Sequence, residues 1–209
     1  MRNLILSATL VASSLFGMAV QAEPIEAGKQ YVELSTPVPV SQPGKIEVVE
    51  LFWFGCGHCY RFEPTINPWI KQLPDDVHFT RIPAMFGGAW NIHGQMYFTL
   101  QALDAEQRVH SDVFDAIHQQ HKKLSTPEEM ADFFATKGID RETFLKTFNS
   151  FGVKSQMEKA KKLAMAYQIS GVPTMIVNGK YRFDISSSGG PQKTLEVANY
   201  LIEKERAAQ

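Results

Sequence analysis

The chain has 209 residues, is 44% hydrophobic and 21% charged, and carries a formal net charge of -1. It is long enough to bury a full core without disulfide support, and its composition is that of an ordinary globular protein, not a disordered or fibrous one. So balanced a charge gives no electrostatic footprint for a nucleic acid partner.

Met1-Arg2-Asn3 is a short basic start, Leu4 to Val20 is apolar and small, and Val20-Gln21-Ala22 offers small residues where a signal peptidase reads. This predicts a secretory signal over residues 1–22, cleaved after Ala22. A retained membrane anchor is the competing reading. The run is short for a spanning helix and contains Ser, Thr and Gly, which disfavours it. Export would place the chain in an oxidising compartment, where a thiol pair does not stay reduced by default.

Residues 23–44 read as a loop, marked by Pro37, Pro39, Pro43 and Gly44, with one short strand at Gln30–Leu34. Ile46–Phe54 is rich in β-branched and aromatic residues and nearly continuous in apolar character, which predicts a central strand buried on both faces. Gly55 turns the chain. A helix is expected from about Cys56 to Leu73, with Pro64 and Pro68 as sites of kinking. Val77–Ile82 alternates as a second strand, parallel to the first through a right-handed crossover.

Residues 91–168 carry helical periodicity and no good strand. Thr126 is placed to cap a helix, with Pro127 at its first position and Glu129 set to close a capping box. Asp140 can cap Arg141–Phe148, and Val153–Gln168 is amphipathic, with Met157, Ala160, Leu163, Ala164 and Tyr167 on its core face. Strand character returns at Thr174–Val177, and Asn178-Gly179 turns it into a second strand at Lys180–Ile185. Ser186–Gly190 reads as a flexible loop, and Pro191 opens a last helix to about Arg206, with Leu195, Val197, Ala198 and Leu201 as its apolar positions. The layout is a small α/β sheet with an all-helical insertion.

The chemistry sits at the end of the first long strand, in Cys56-Gly57-His58-Cys59, which holds both cysteines of the chain. A strand that ends in C-x-x-C and opens a helix is the sign of a thiol–disulfide redox site. A purely structural bridge is the bland alternative, but a ring this small constrains the unfolded chain only weakly. At a helix start, free N–H groups and the positive end of the helix dipole favour a thiolate at Cys56. Cys56 is therefore the expected attacked and attacking sulfur, and Cys59, one turn further in, the resolving one. His58 would favour the Cys56 thiolate as a cation or N–H donor; its alternative is a solvent-facing residue without a role. Glu50, inside the apolar strand, is expected to be buried with a raised pKa, either relaying protons to and from Cys59 or paired with a structural base. Gly171-Val172-Pro173-Thr174 precedes the late strand. A cis Val172–Pro173 bond there would turn Val172 toward the sulfurs, where its backbone could pair with a bound peptide in an apolar groove beside Pro173. A second cysteine pair for zinc is lacking, and Tyr60 stands where a c-type haem motif needs histidine.

Trp53-Phe54-Gly55-Cys56-Gly57-His58-Cys59-Tyr60, the helical insertion and Gly171-Val172-Pro173-Thr174 together resemble the DsbA family of periplasmic thiol–disulfide oxidoreductases, and most closely its pseudomonad members. The resemblance implies a thioredoxin fold over residues 23–90 and 169–209, with the helical domain inserted at 91–168. It implies a cis Pro173 and places Glu50 as the buried acid beneath the site. The activity implied is donation of the Cys56–Cys59 disulfide to reduced exported proteins, followed by reoxidation by a DsbB-like quinone-linked membrane protein. The protein would be a periplasmic monomer needing no cofactor or metal beyond its own disulfide. One departure is Gly57, where most family members have proline; Gly-His is the dipeptide of protein disulfide isomerase domains. A disulfide isomerase or reductase is the nearest alternative, though residues 23–44 are too short for the dimerisation domain of the DsbC-type isomerases. A peptide-binding chaperone with idle cysteines is the other.

Overall fold

A computed structural model describes residues 24–208; the expected signal segment and its cleavage site after Ala22 lie outside the described residues. Five strands form one sheet: β1 (Val32–Glu33), β2 (Ile46–Phe52), β3 (Val77–Pro83), β4 (Thr174–Val177) and β5 (Tyr181–Asp184). Their order is β1-β5-β4-β2-β3, with β2 parallel to β3 and antiparallel to β4. Every residue of β2 is buried, because helices cover both faces of the sheet. On one face Ile46 and Val48 pack with Phe62 and Ile66 of α1 (Gly57–Ile70) and with Val197 and Leu201 of α8 (Pro191–Arg206). On the other, Val49 and Leu51 meet Ala164 and Tyr167.

Between β3 and β4 the chain makes five helices: α2 (Gly88–Ala102), α3 (Glu106–His118), α4 (Pro127–Ala135), α5 (Arg141–Phe148) and α6 (Phe151–Ala166). Their core is aromatic, with Phe134 against Phe144 at 5.2 Å and Phe144 against Phe148 at 5.9 Å. This core is continuous with Phe52, Phe54 and Cys59, so the helical insertion packs directly under the cysteine pair.

Several boundaries differ from the sequence reading. β2 stops at Phe52, and Cys56 is the N-cap of α1 instead of its first residue. α1 runs through Pro64 and Pro68 and ends at Ile70. α6 starts at Phe151 because Ser150 supplies its cap, accepting the Val153 N–H at 3.3 Å. Thr126 caps α4 as read, but the Glu129 carboxylate reaches back to the N–H and hydroxyl of Ser125. The expected loop at Ser186–Gly190 contains a single helical turn, α7 (Ile185–Ser188), capped by Asp184 in a reciprocal box with Ser187.

The β4–β5 turn has Asn178 at φ 50° and Gly179 at φ 63°, the two left-handed positions of a type I′ hairpin. A Cβ on Gly179 would meet the Val38 carbonyl oxygen at 1.9 Å, so only glycine fits. The hairpin is tied to α8 by buried Glu205, which accepts from the Tyr181 hydroxyl at 2.9 Å, from Lys180 Nζ at 2.6 Å and from the Asn178 amide. Glu205→Ala leaves the Tyr181 hydroxyl without its acceptor and is expected to lower stability by about 2 kcal/mol. A urea unfolding midpoint unchanged from wild type would contradict this anchoring role.

Candidate active site

Cys56 has extended backbone (φ -84°, ψ 115°) and its Sγ accepts the Cys59 backbone N–H at 3.3 Å. The turn that puts it there is closed by the Cys56 N–H donating to the Trp53 carbonyl at 2.9 Å. A sulfur in the N-cap position satisfies one of the N–H groups that a helix start leaves unpaired. The Cys56 thiol is brought down to about 6. A hydrogen bond from the Cys59 thiol is the largest cause. Partial burial opposes it, and the backbone N–H groups of Cys59 and His58 and the charge of His58 add to it. The second sulfur thus lowers this thiol more than the helix start does.

Cys59 is fully buried, and its thiol is pushed far up, first by burial, then by Cys56 and by the charge of Glu50. Both cysteines are free thiols, so this geometry is that of the dithiol form. The two sulfurs, three residues apart, therefore have opposite acid–base character.

The Val172–Pro173 bond is cis, and the Val172 carbonyl oxygen lies 3.5 Å from Cys56 Sγ. His58 is exposed, and its Nδ1 meets Arg61 Nη2 at 3.1 Å. Its imidazole thus engages Arg61 and reaches the sulfur by charge alone. Beside Pro173 lies a recess of about 480 Å³ lined by His58, Val172, Pro173, Arg182 and Asp184. Val172, Pro173 and Ile185 give this recess apolar walls, and β5 adds Arg182 and Asp184 at one side. Tyr60 and His118 stack at 4.7 Å, and His118 Nε2 lies 2.8 Å from the Phe54 carbonyl, which pins the site to α3.

Glu50 is buried as read, and it is also paired: Arg81 Nε donates to its Oε2 at 2.9 Å. Arg81 donates further to Glu63 at 3.1 Å and to the Asn67 side chain at 2.8 Å. Glu63 lies 3.6 Å from His110 Nε2, and His110 Nδ1 bonds Glu106. Burial raises the Glu50 carboxyl above the ordinary range, although Arg81 pulls the other way. For Glu63 the balance reverses: burial is outweighed by the nearby His110 ring and the Arg81 charge, and the carboxyl is lowered. Glu50 Oε1 is buried with no partner in the fold.

Arg81, Glu63 and His110 were not picked out from sequence, and a local signal exists for Glu63 alone. Cys59, Phe62, Glu63 and Ile66 fall at helical spacing on the buried side of α1, whereas Arg81 meets Glu50 through the parallel strand register.

A family model for the DSBA-like thioredoxin domain matches residues 90–196. The thiol:disulfide interchange protein DsbA of Pseudomonas aeruginosa (strain PAO1) is 71% identical over all of this chain and 99% of its own length. That of Azotobacter vinelandii is 65% identical over the whole of both chains. A crystal structure of P. aeruginosa DsbA superimposes with a TM-score of 0.86 at 72% identity, covering 88% of this chain and 96% of that one. DsbA from Xylella fastidiosa superimposes at 0.83 and 34% identity, over 88% of this chain and 98% of its own.

Titrating the reduced protein by thiolate absorbance should show one sulfur ionising near pH 6, lost in Cys56→Ser, while Cys59 keeps its proton throughout the folded range. A single midpoint near that of free cysteine would refute the assignment. Arg81→Met leaves Glu50 and Glu63 without their shared cation and is expected to cost about 3–5 kcal/mol in chemical denaturation.

Proposed function

The chain belongs to the DsbA family of thiol:disulfide oxidoreductases, and from that premise we propose that it donates the Cys56–Cys59 disulfide to newly exported proteins in the periplasm and is then reoxidised by a DsbB-like quinone-linked membrane protein. The observation that carries this reading is Cys56 Sγ at the N-cap of α1, accepting the Cys59 N–H beside the cis Val172–Pro173 bond, where its pKa is held at about 6. At pH 7 a thiol of pKa about 6 is mostly thiolate, which favours the reduced protein by at most about 1.4 kcal/mol over an ordinary thiol. That moves the couple about 30 mV toward oxidation, less whatever solvent screens at a half-buried sulfur. A protein more stable reduced than oxidised gives its disulfide away.

In the exchange, a substrate thiolate attacks Cys56 Sγ of the disulfide and the Cys56–Cys59 bond breaks. Cys59 leaves as an anion inside the core, where it is least stable. Glu50 is placed to meet that need: a proton on its unpartnered Oε1 passes to Cys59, directly or through water. A second substrate thiolate then attacks the substrate sulfur of the mixed disulfide and expels Cys56 as its stabilised thiolate. The substrate departs with a disulfide and the protein as a dithiol. His58 assists through its charge, and the Val172 backbone beside the sulfur pairs with the substrate chain. No helix among the described residues is long and apolar enough to cross a membrane.

Cys56→Ser should abolish oxidation of reduced protein substrates, and Cys59→Ser should accumulate mixed disulfides; an active Cys56→Ser protein would overturn the assignment. The potential, measured against glutathione, should stand above that of thioredoxin, about -270 mV. Its pH dependence carries the sign of the shift. Below about pH 6 reduction takes up two protons, a slope of about 59 mV per pH unit. Above it Cys56 stays ionised, one proton is taken up, and the slope halves to about 30 mV. An unbroken slope through pH 6 would place the thiolate elsewhere.

A further inference from the structure

The helix that closes the insertion, α6, carries charge of one sign. Lys154, Lys159, Lys161 and Lys162 stand on it against a single acid, Glu158, in a chain whose formal net charge is -1. The remainder of the chain is therefore net acidic, and α6 is a cationic pole. All four lysines are exposed. Among the described residues, the lysines that make salt bridges are Lys29, Lys137, Lys180 and Lys204. None of the four on α6 is neutralised within the fold.

The same helix carries the two most exposed large apolar side chains of the described residues: Phe151 is 86% exposed and Met165 63%. At about 3.6 residues per turn, Phe151, Glu158, Lys162 and Met165 share one stripe. It lies opposite the buried Val153, Ala160 and Ala164. Lys154 and Lys161 flank the stripe on one side and Lys159 on the other. The two apolar residues stand about 21 Å apart along the axis, at about 1.5 Å per residue.

The stripe is turned away from the redox helix. Ala164 and Tyr167 pack on the sheet through Val49 and Leu51, whereas α1 packs on the other face through Phe62 and Ile66. A flat surface laid on α6 therefore does not lie over α1.

The choice of cation says what kind of surface fits. Specific protein interfaces are enriched in arginine and depleted in lysine, because the planar guanidinium pairs with carboxylates at fixed geometry. The α6 face has four lysines and no arginine. A lysine is a flexible point charge whose stem lies along apolar surface while its ammonium reaches outward. Such a face suits a diffuse anionic layer with an apolar layer beneath it: lipid phosphates for the lysines, acyl chains for Phe151 and Met165. The acidic remainder of the molecule is repelled by the same layer, which orients α6 toward it.

We propose that the outer face of α6 docks on an anionic phospholipid bilayer, with Phe151 and Met165 entering the headgroup boundary and the four lysines meeting lipid phosphates. Docking is reversible and electrostatic. It would hold the protein beside the membrane in which the proposed reoxidation takes place, with the cysteine pair uncovered. The inference uses none of the thiol chemistry and stands or falls separately from the disulfide-donor reading.

The test is co-sedimentation of the protein lacking residues 1–22 with vesicles of phosphatidylcholine, with and without phosphatidylglycerol. At about 0.01 M salt the protein should pellet with the anionic vesicles only, and be released as salt rises to about 1 M and the screening length falls to about 3 Å. Lys154→Gln, Lys161→Gln and Lys162→Gln combined should lower the partition coefficient at least about tenfold, a few-fold for each lysine. Phe151→Ser should lower it about three- to tenfold, and Phe151→Leu should keep it. Lys45→Gln, an exposed lysine outside α6, should leave it unchanged. Each variant should oxidise reduced peptides at the wild-type rate without vesicles, which shows that it is folded. Equal binding to both vesicle types, no binding at low salt, or binding indifferent to the lysine and Phe151 variants overturns the proposal. So does wild-type self-association without vesicles that Phe151→Ser abolishes, which would make a second copy the occupant. Polyglutamate bound as tightly as the anionic vesicles, with Phe151→Ser without effect on either, would make the occupant an acidic polypeptide and overturns it too.

Discussion

A sulfur anion held at the open end of a helix is the interaction on which the rest of this molecule depends. It requires Cys56 to be the cap of α1 and not a residue inside it, because only the cap side chain can accept the Cys59 N–H. That in turn requires β2 to end at Phe52 and the next three residues to turn the chain, with the Cys56 N–H closing onto the Trp53 carbonyl. β2 is fixed in place by burial on both faces, so the cap position is inherited from a strand buried along its whole length. The helical insertion belongs to the same constraint. Its core encloses Cys59, and the contrast between an anion-favouring and an anion-rejecting sulfur exists only because α2 and α3 exclude water from the second one.

The sequence displayed the strand, the turn, the cysteine spacing and most helix starts, because each is written in adjacent residues. Thr126, Asp140 and the Asn178-Gly179 turn act within four residues of themselves, and the structure uses all three in the roles their chemistry indicates. Errors came where two local signals competed. Ser150 outbid Val153 as the start of α6 by offering a hydroxyl, and Asp184 with Ser187 closed a helical turn in a stretch that composition marks as loop. What stayed hidden was assembled across the fold. Arg81 meets Glu50 only through strand register, His110 meets Glu63 only when α3 docks on α1, and Trp90 meets Trp53 only when α2 folds back over the turn. The charged side of the Pro173 recess was hidden for the same reason, since Arg182 and Asp184 come from a strand that sequence cannot aim.

The buried ionic network poses an energetic question. Desolvating Glu50, Arg81, Glu63 and His110 costs several kcal/mol per ion, and apolar residues of the same volume generally do as well or better for stability. Packing therefore gives no reason for these groups to be here. Their placement relative to the sulfurs does. Glu63 stands one turn beyond Cys59 on α1, and the charge of Glu50 is felt at Cys59 itself. Arg81 holds one oxygen of Glu50 and leaves the other bare. A carboxyl fixed through one oxygen, with its pKa raised by burial, can gain or lose a proton without changing position. A rigid acid of that kind suits a reaction in which charge appears and vanishes at a buried sulfur twice per turnover. An apolar replacement of Glu50 alone would leave Arg81 unpaired in the interior and would remove the proposed proton donor for Cys59.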